Sequence, residues 1–202
     1  MIPFSLPNIT KEDKECILDA LSKYRIAGDG QYTMKVTELM EREFSINKAL
    51  LTTSCTAALE MAVVLSDIKE NDEVILPSFT FVSAANAVMM RGGRPIFADI
   101  KHDTLNIDPD DIERRITDKT KAIIVVHYAG VACDMESIIE IAKKHKLKII
   151  EDAAQGVNAK YKDKYLGTIG DFGCYSFHET KNYTCGEGGA ILINSNDRTV
   201  RD

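Results

Sequence analysis

The sequence predicts an α/β fold, with a mostly parallel sheet and helices on both of its faces. Three observations predict it. Short apolar runs rich in β-branched residues recur along the chain, and the run AIIVV at 122–126 contains no polar residue, as expected of a strand covered on both faces. Between these runs lie longer segments whose apolar residues fall three and four apart, the spacing of an amphipathic helix. The two kinds of segment alternate, which is the pattern of repeated strand–helix units.

Each element follows from local signals. Thr10 is placed as the N-cap of a first helix carrying Ile17, Leu18 and Leu21, with Asp13 at its third position. A second helix over 33–44 sets Val36, Leu39, Met40 and Phe44 on one stripe. Leu50-Leu51 reads as a short strand, 56–65 as a helix, and Val74-Ile75-Leu76 as a strand stopped by Pro77. A helix over 82–90 leads to a strand at Ile96-Phe97-Ala98, and Asp108-Pro109 is a cap followed by proline, a helix start. The buried strand 122–126 precedes a helix over 134–146, a strand at Lys148-Ile149-Ile150, and two late strands at 174–177 and 190–194. The polar stretch 196–202 brings no closing element, and the fold is expected to be incomplete there.

Composition narrows the function. The 25 basic and 31 acidic residues leave a net charge of −6, which argues against non-specific binding to nucleic acid or to an anionic membrane. Five scattered cysteines (16, 55, 133, 174 and 185) never fall as C-x-x-C, so neither a disulfide framework nor a structural zinc site is expected. The start MIPFSLPNIT lacks a signal-peptide pattern, and no apolar run approaches the ~18 residues of a membrane span. A cytoplasmic protein is expected.

Several motifs fail. Gly28-Asp29-Gly30 opens like a dinucleotide fingerprint, but Thr33 takes the third glycine's place; Gly186-Glu187-Gly188-Gly189 fails likewise at Ile191. There is no GxxxxGK[ST], and His178-Glu179 has no second histidine at the zinc-protease spacing.

Ligands of parallel sheets bind at the carboxyl ends of the strands, so the residues just past each strand carry the argument. Thr52–Ala58 (TTSCTAA) joins strand to helix through small and hydroxyl residues; it is either a phosphate-holding helix start or a plain N-cap by Ser54 or Thr56. Asp152 ends a buried strand, where it either faces a cationic ligand atom or caps the next turn. In Gly173–Lys181, period-2 alternation sends Tyr175 and Phe177 to one face and Ser176 with His178 to the other. Lys181 follows, either solvated or placed to form a Schiff base. A phosphate turn, an acid able to keep a pyridine nitrogen protonated and a lysine are together the parts that a pyridoxal 5'-phosphate (PLP) site needs.

SCTAAL at 54–59, PSFTFVSAANA at 77–87, EDAAQG at 151–156 and SFHETKNYTCGEGGA at 176–190 resemble the DegT/DnrJ/EryC1/StrS sugar aminotransferases, in family order and spacing. The resemblance implies the large domain of a fold-type-I PLP-dependent transferase. It implies Lys181 as the cofactor-holding, catalytic lysine and Asp152 as partner of the ring nitrogen. Phe81 is the implied stacking aromatic, Thr56 and Ala57 the backbone phosphate donors, Ser176 a further donor, and Gln155 the neighbour of the ring's 3-hydroxyl. His178 is left between a supporting and a packing role. HYAGVACDM at 127–135 and SFHETKNYT resemble members that move an amino group from L-glutamate to the C4 ketone of TDP-4-keto-6-deoxy-D-glucose, giving TDP-4-amino-4,6-dideoxy-D-galactose and 2-oxoglutarate. Two alternatives stay open: another nucleotide-linked keto sugar, aminated at C3 or C4, and a non-catalytic PLP-binding regulatory protein. Members of the family are homodimers with shared active sites and are close to twice as long. The implied organisation is therefore an incomplete PLP-binding large domain over 1–202, with a small C-terminal domain beyond it. The stretch 27–33 (AGDGQYT) is a hypothetical sugar contact.

Overall fold

The computed structural model describes residues 6–23 and 26–195. Its elements, in chain order, are α1 (Lys11–Ser22), α2 (Gln31–Phe44), β1 (Lys48–Thr52), α3 (Cys55–Leu65), β2 (Glu73–Pro77), α4 (Ser83–Met90), β3 (Arg94–Ala98), α5 (Pro109–Arg115), β4 (Thr120–Val126), a 3-10 turn (Tyr128–Gly130), α6 (Met135–His145), β5 (Lys148–Asp152), the hairpin β6 (Lys160–Tyr161) and β7 (Lys164–Tyr165), β8 (Phe172–Ser176) and β9 (Gly189–Ile193). Seven strands form one sheet in the order β1-β9-β8-β5-β4-β2-β3. The run from β8 to β3 is parallel. β9 lies antiparallel to both β8 and β1, a reversal that nothing local in the sequence announces.

Strand alternation divides the apolar residues between two layers. Val74, Leu76, Ile124, Ile150, Phe172 and Ile191 face α3 and α4. Ile75, Ile123, Val125 and Ile149 face α5 and α6. On that second side, at the antiparallel end, Tyr175, Ala190 and Leu192 pack against Met40 and Phe44 of α2. Asp152 falls on the α3 side with Ile150, and Glu151 on the other with Ile149.

The helix starts obey their caps. Thr10 and Asp13 form a reciprocal capping box, and Asp108 caps α5 ahead of Pro109. The predicted apolar face of α1 is not covered: Ile17, Leu18 and Leu21 are all exposed, and no residue of the helix is buried. Leu39 on α2 is likewise exposed. Pro77 does not stop β2 but is its last residue, past the point where β2 pairs with β4, so its missing N–H breaks no bond of that pairing. The β6–β7 hairpin was not legible, being only two residues a side. The polar stretch 196–202 lies outside the described residues.

A buried carboxylate ties the middle of the sheet together. Glu151 is fully buried and accepts four hydrogen bonds: from the N–H groups of Ile169 and Gly170 on Oε1, both at 2.6 Å, and from Gly167 N and His127 Nε2 on Oε2, both at 2.8 Å. The 167–170 turn can lie across β8 to make these bonds because residue 173 is glycine. A Cβ there would fall on the Gly167 carbonyl. Gly167 itself adopts φ +89°, and a Cβ on it would meet the Tyr175 ring.

Gly173→Ala should therefore lose at least about 4 kcal/mol of folding stability, whereas Gly28→Ala, with nothing near its Cβ, should change it by less than about 0.5 kcal/mol. Urea denaturation checks both; a stable Gly173→Ala protein would remove the turn's steric requirement.

Candidate active site

A cleft of about 730 Å³ opens past the carboxyl ends of β2, β4, β5 and β8. Of the residues predicted from sequence, it brings together Thr56, Phe81, Asp152, Gln155, Ser176 and Lys181 on its walls. Ala57 is not on the wall, and neither is any residue of the 27–33 stretch.

The start of α3 forms one wall. Ser54 is the N-cap: its Oγ accepts from Ala57 N at 3.1 Å, and its carbonyl accepts from Ala58 N. The Ala57 N–H is thus already engaged, which leaves the N–H groups of Cys55 and Thr56 as backbone donors with no partner among the described residues, of which Thr56 lines the cleft beside Cys55. The cap is present, and the N–H groups ahead of Ala57 are the ones left open. Gly189 lets β9 press against this helix start, since a Cβ there would lie 2.6 Å from Cys55 N.

Asp152 forms the floor. It is the last residue of β5 and buried, and both of its carboxylate hydrogen bonds go to Oδ1: from Ala154 N at 3.1 Å and from Cys55 Sγ at 4.0 Å. No hydrogen bond from the described residues reaches Oδ2. Burial pushes the Asp152 carboxyl above the usual carboxylate range, opposed by the Ala154 N–H and by the charges of His127 and Lys181. A cationic ring nitrogen at this carboxylate would favour the ionised form further. Burial also pushes the neighbouring Cys55 thiol well up, with the Asp152 charge adding to it.

The loop between β8 and β9 carries Lys181. Its backbone N–H donates to the His178 carbonyl, and its ammonium makes no hydrogen bond or ion pair with the described residues. His178 orders this loop: its Nδ1 accepts from Thr180 N at 3.2 Å and lies 2.9 Å from Thr180 Oγ1, and its Nε2 lies 3.5 Å from Glu187. His178 thus makes its side-chain contacts within the lysine's own loop. Ser176 is buried beneath it, and its Oγ accepts from His178 N at 3.4 Å.

Gln155 stands opposite. Its Oε1 accepts from Ala129 N at 2.7 Å, leaving the amide NH₂ as its free end. Ala129 (φ 53°) and Gly130 (φ 77°) are left-handed, and a Cβ on Gly130 would lie 2.9 Å from the Gln155 carbonyl. Phe81 reaches the cleft 73% exposed, a face open for stacking.

Residues missed by sequence reasoning also line the cleft. Thr80 places a buried Oγ1 there without a hydrogen-bond partner, and Tyr128 packs on Phe79 with ring centroids 4.9 Å apart. Both lie within three residues of the ends of β2 and β4, so the strand-end rule could have found them. An unpaired ammonium, a buried acid with one oxygen left over, a free helix-start N–H and an orphaned hydroxyl suit a flat anionic cofactor with a basic ring nitrogen.

Comparisons with known proteins agree with this geometry. The family model described as DegT/DnrJ/EryC1/StrS aminotransferase family matches residues 7–201. A GDP-perosamine synthase of Escherichia coli O157:H7 is 39% identical over 201 residues, which is 100% of this chain and 55% of that protein. Spore coat polysaccharide biosynthesis protein SpsC of Bacillus subtilis is 38% identical, over 100% of this chain and 51% of its own length. Among solved structures, an aminotransferase from Psychrobacter cryohalolentis superposes with a TM-score of 0.93 at 35% identity, covering 98% of this chain and 51% of that one. The PLP form of a putative sugar aminotransferase, Spr1654 from Streptococcus pneumoniae, gives 0.90 at 31% identity, covering 96% and 53%. The chain spans about half the length of the curated relatives it matches.

Ser54→Ala should cost about 1 kcal/mol of stability through loss of the cap on Ala57 N. A thermal melt unchanged from the parent would show that the cap contributes nothing.

Proposed function

The chain belongs to the DegT/DnrJ/EryC1/StrS aminotransferase family, and we propose that the protein built on it is a PLP-dependent aminotransferase that aminates the C4 ketone of a nucleotide-linked 6-deoxy sugar. The observation that carries this reading is the convergence of an unpaired Lys181 ammonium and the buried Asp152 carboxylate in one cleft.

When bound, PLP supplies an electron sink beside the substrate's amine-bearing carbon. Asp152 Oδ2 accepts from the ring nitrogen and keeps it protonated. Thr56 N–H and the Ser176 hydroxyl donate to the phosphate, and Ala57 N–H shares only if Ser54 yields it. The Gln155 amide donates toward the 3-oxygen, and Phe81 covers one ring face. Lys181 Nζ anchors the cofactor. With the amino donor bound, Lys181 Nζ would take the proton from the donor's Cα and return it, as general base and then general acid.

For the acceptor we take TDP-4-keto-6-deoxy-D-glucose as the first candidate, on the resemblance of 127–135 and 176–184. Two relatives named GDP-perosamine synthase, at 39% and 35% identity, favour a GDP-linked sugar as the second. The whole protein is read as a cytoplasmic homodimer whose two copies share the sites. The exposed apolar residues of α1, with the exposed Phe81 at the cleft and Val82 next to it in the chain, support an assembled form. Five free cysteines suit a reducing compartment.

Given PLP, L-glutamate and a panel of TDP- and GDP-linked keto sugars, the whole protein should release 2-oxoglutarate with one of them. Borohydride should fix the cofactor on Lys181, and Lys181→Ala should lower turnover by at least about 10³-fold. Near-normal rates in that variant, or a reduced adduct on another lysine, would refute the assignment. PLP binding without turnover on any sugar would favour the regulatory reading instead.

A further inference from the structure

His127 is fully buried and turned away from the cleft, although Val126 and Tyr128 on either side of it line the wall. It nonetheless holds both residues at the end of β5. Its backbone N–H donates to the Asp152 carbonyl at 3.1 Å, and its Nε2 lies 2.8 Å from the Glu151 carboxylate. Its Nδ1 accepts from Cys133 N at 3.2 Å.

This last contact settles which proton the ring carries. Burial works against a charged imidazole, while the Cys133 side chain and the Glu151 carboxylate work for it and lift its pKa above the ordinary value. A second proton, however, would sit on Nδ1, where the Cys133 N–H already points. The Nε2 proton is therefore the one engaged, and it is donated to Glu151. The other three donors on Glu151 are backbone N–H groups of the 167–170 turn, so His127 supplies the one side-chain donor.

The Asp152 backbone is held between β4 and β8, but its carboxylate has few partners. Its carboxylate receives one backbone bond from Ala154 and a long contact from Cys55, and beyond it the chain leaves β5. We propose that His127 is the positioning residue for Asp152: its imidazole locks Glu151 from the reverse face of the sheet, and this fixes how the Asp152 carboxylate enters the cleft. The proposal rests on reading Asp152 as the partner of the cofactor's ring nitrogen.

The test uses the whole protein and three readouts: PLP affinity, the visible absorption band of bound PLP, and melting temperature with and without PLP. His127→Leu removes the donor to Glu151, and His127→Gln keeps an N–H in reach of it. His127→Leu should bind PLP about tenfold more weakly, the size of one lost hydrogen bond to a charged group. Its band should move toward that of Asp152→Asn, while His127→Gln keeps the parent band and affinity. If His127→Leu does not fold, His127→Asn, whose amide is too short to reach Glu151, is read in its place. A loss of melting temperature that is equal with and without PLP, with the band unmoved, would overturn the proposal and leave His127 purely structural. So would a His127→Gln protein that folds but shows the Asp152→Asn band. Should Asp152→Asn itself leave affinity and band unchanged, the reading of Asp152 fails and the proposal falls with it; a changed Asp152→Asn beside an unchanged His127→Leu sinks the positioning role alone.

Discussion

The buried charge on Glu151 constrains the rest of the molecule. A carboxylate taken wholly out of water needs its lone pairs filled, and removing a partner from such a group commonly costs about 3–5 kcal/mol. Here the four donors come from two distant segments, the end of β4 and the 167–170 turn. The turn needs room, which Gly173 leaves by having no side chain. It is also held from beyond: Asn194 donates to the carbonyls of Gly167 and Gly170, and Tyr175 to that of Leu166. One ionised group thus coordinates β4, β5, β8 and the residue that follows β9.

The candidate site follows from that arrangement by strand alternation alone. Glu151 and Asp152 are neighbours on β5 and point to opposite faces. The residue locked by four hydrogen bonds faces the α6 side, and the one left with an oxygen to spare faces the α3 side, where the cleft lies. Rigid scaffold and reactive group are therefore adjacent in sequence but separated by the thickness of the sheet. The lysine, by contrast, sits on a loop, and its position depends on His178 joining Thr180 to Glu187 across that loop.

Much of this was legible in the sequence because it is local. Caps at Thr10 and Asp108, the AIIVV strand and the helix periodicities depend on near neighbours, and the strand-end rule led to Asp152, Ser176 and Lys181. What was not legible depends on distant partners. No pattern near residue 190 says that β9 runs antiparallel between β8 and β1. The stripe Ile17-Leu18-Leu21 gives the helix correctly but not whether anything covers it, and among the described residues nothing does. The competition for Ala57 N–H was invisible for another reason: the residues of this helix start suit a cap and a phosphate donor equally well, and only coordinates show Ser54 Oγ engaging Ala57 N. Glu151 was passed over because three of its four donors are backbone groups, which leave no residue-type signature.

The antiparallel insertion of β9 also sets an order of assembly. Among the described residues β1 pairs only with β9, Lys48 opposite Ile193 and Thr52 opposite Gly189, so β1 waits for a strand made long after it. The parallel core of β2, β4 and β5 can close earlier, over shorter loops. During synthesis, then, β1 and the α2 residues packed beside it stay unsheltered until residue 193 has left the ribosome. The interval in which Leu50 and Leu51 are open to wrong pairing lasts for the synthesis of every strand and helix between β1 and β9.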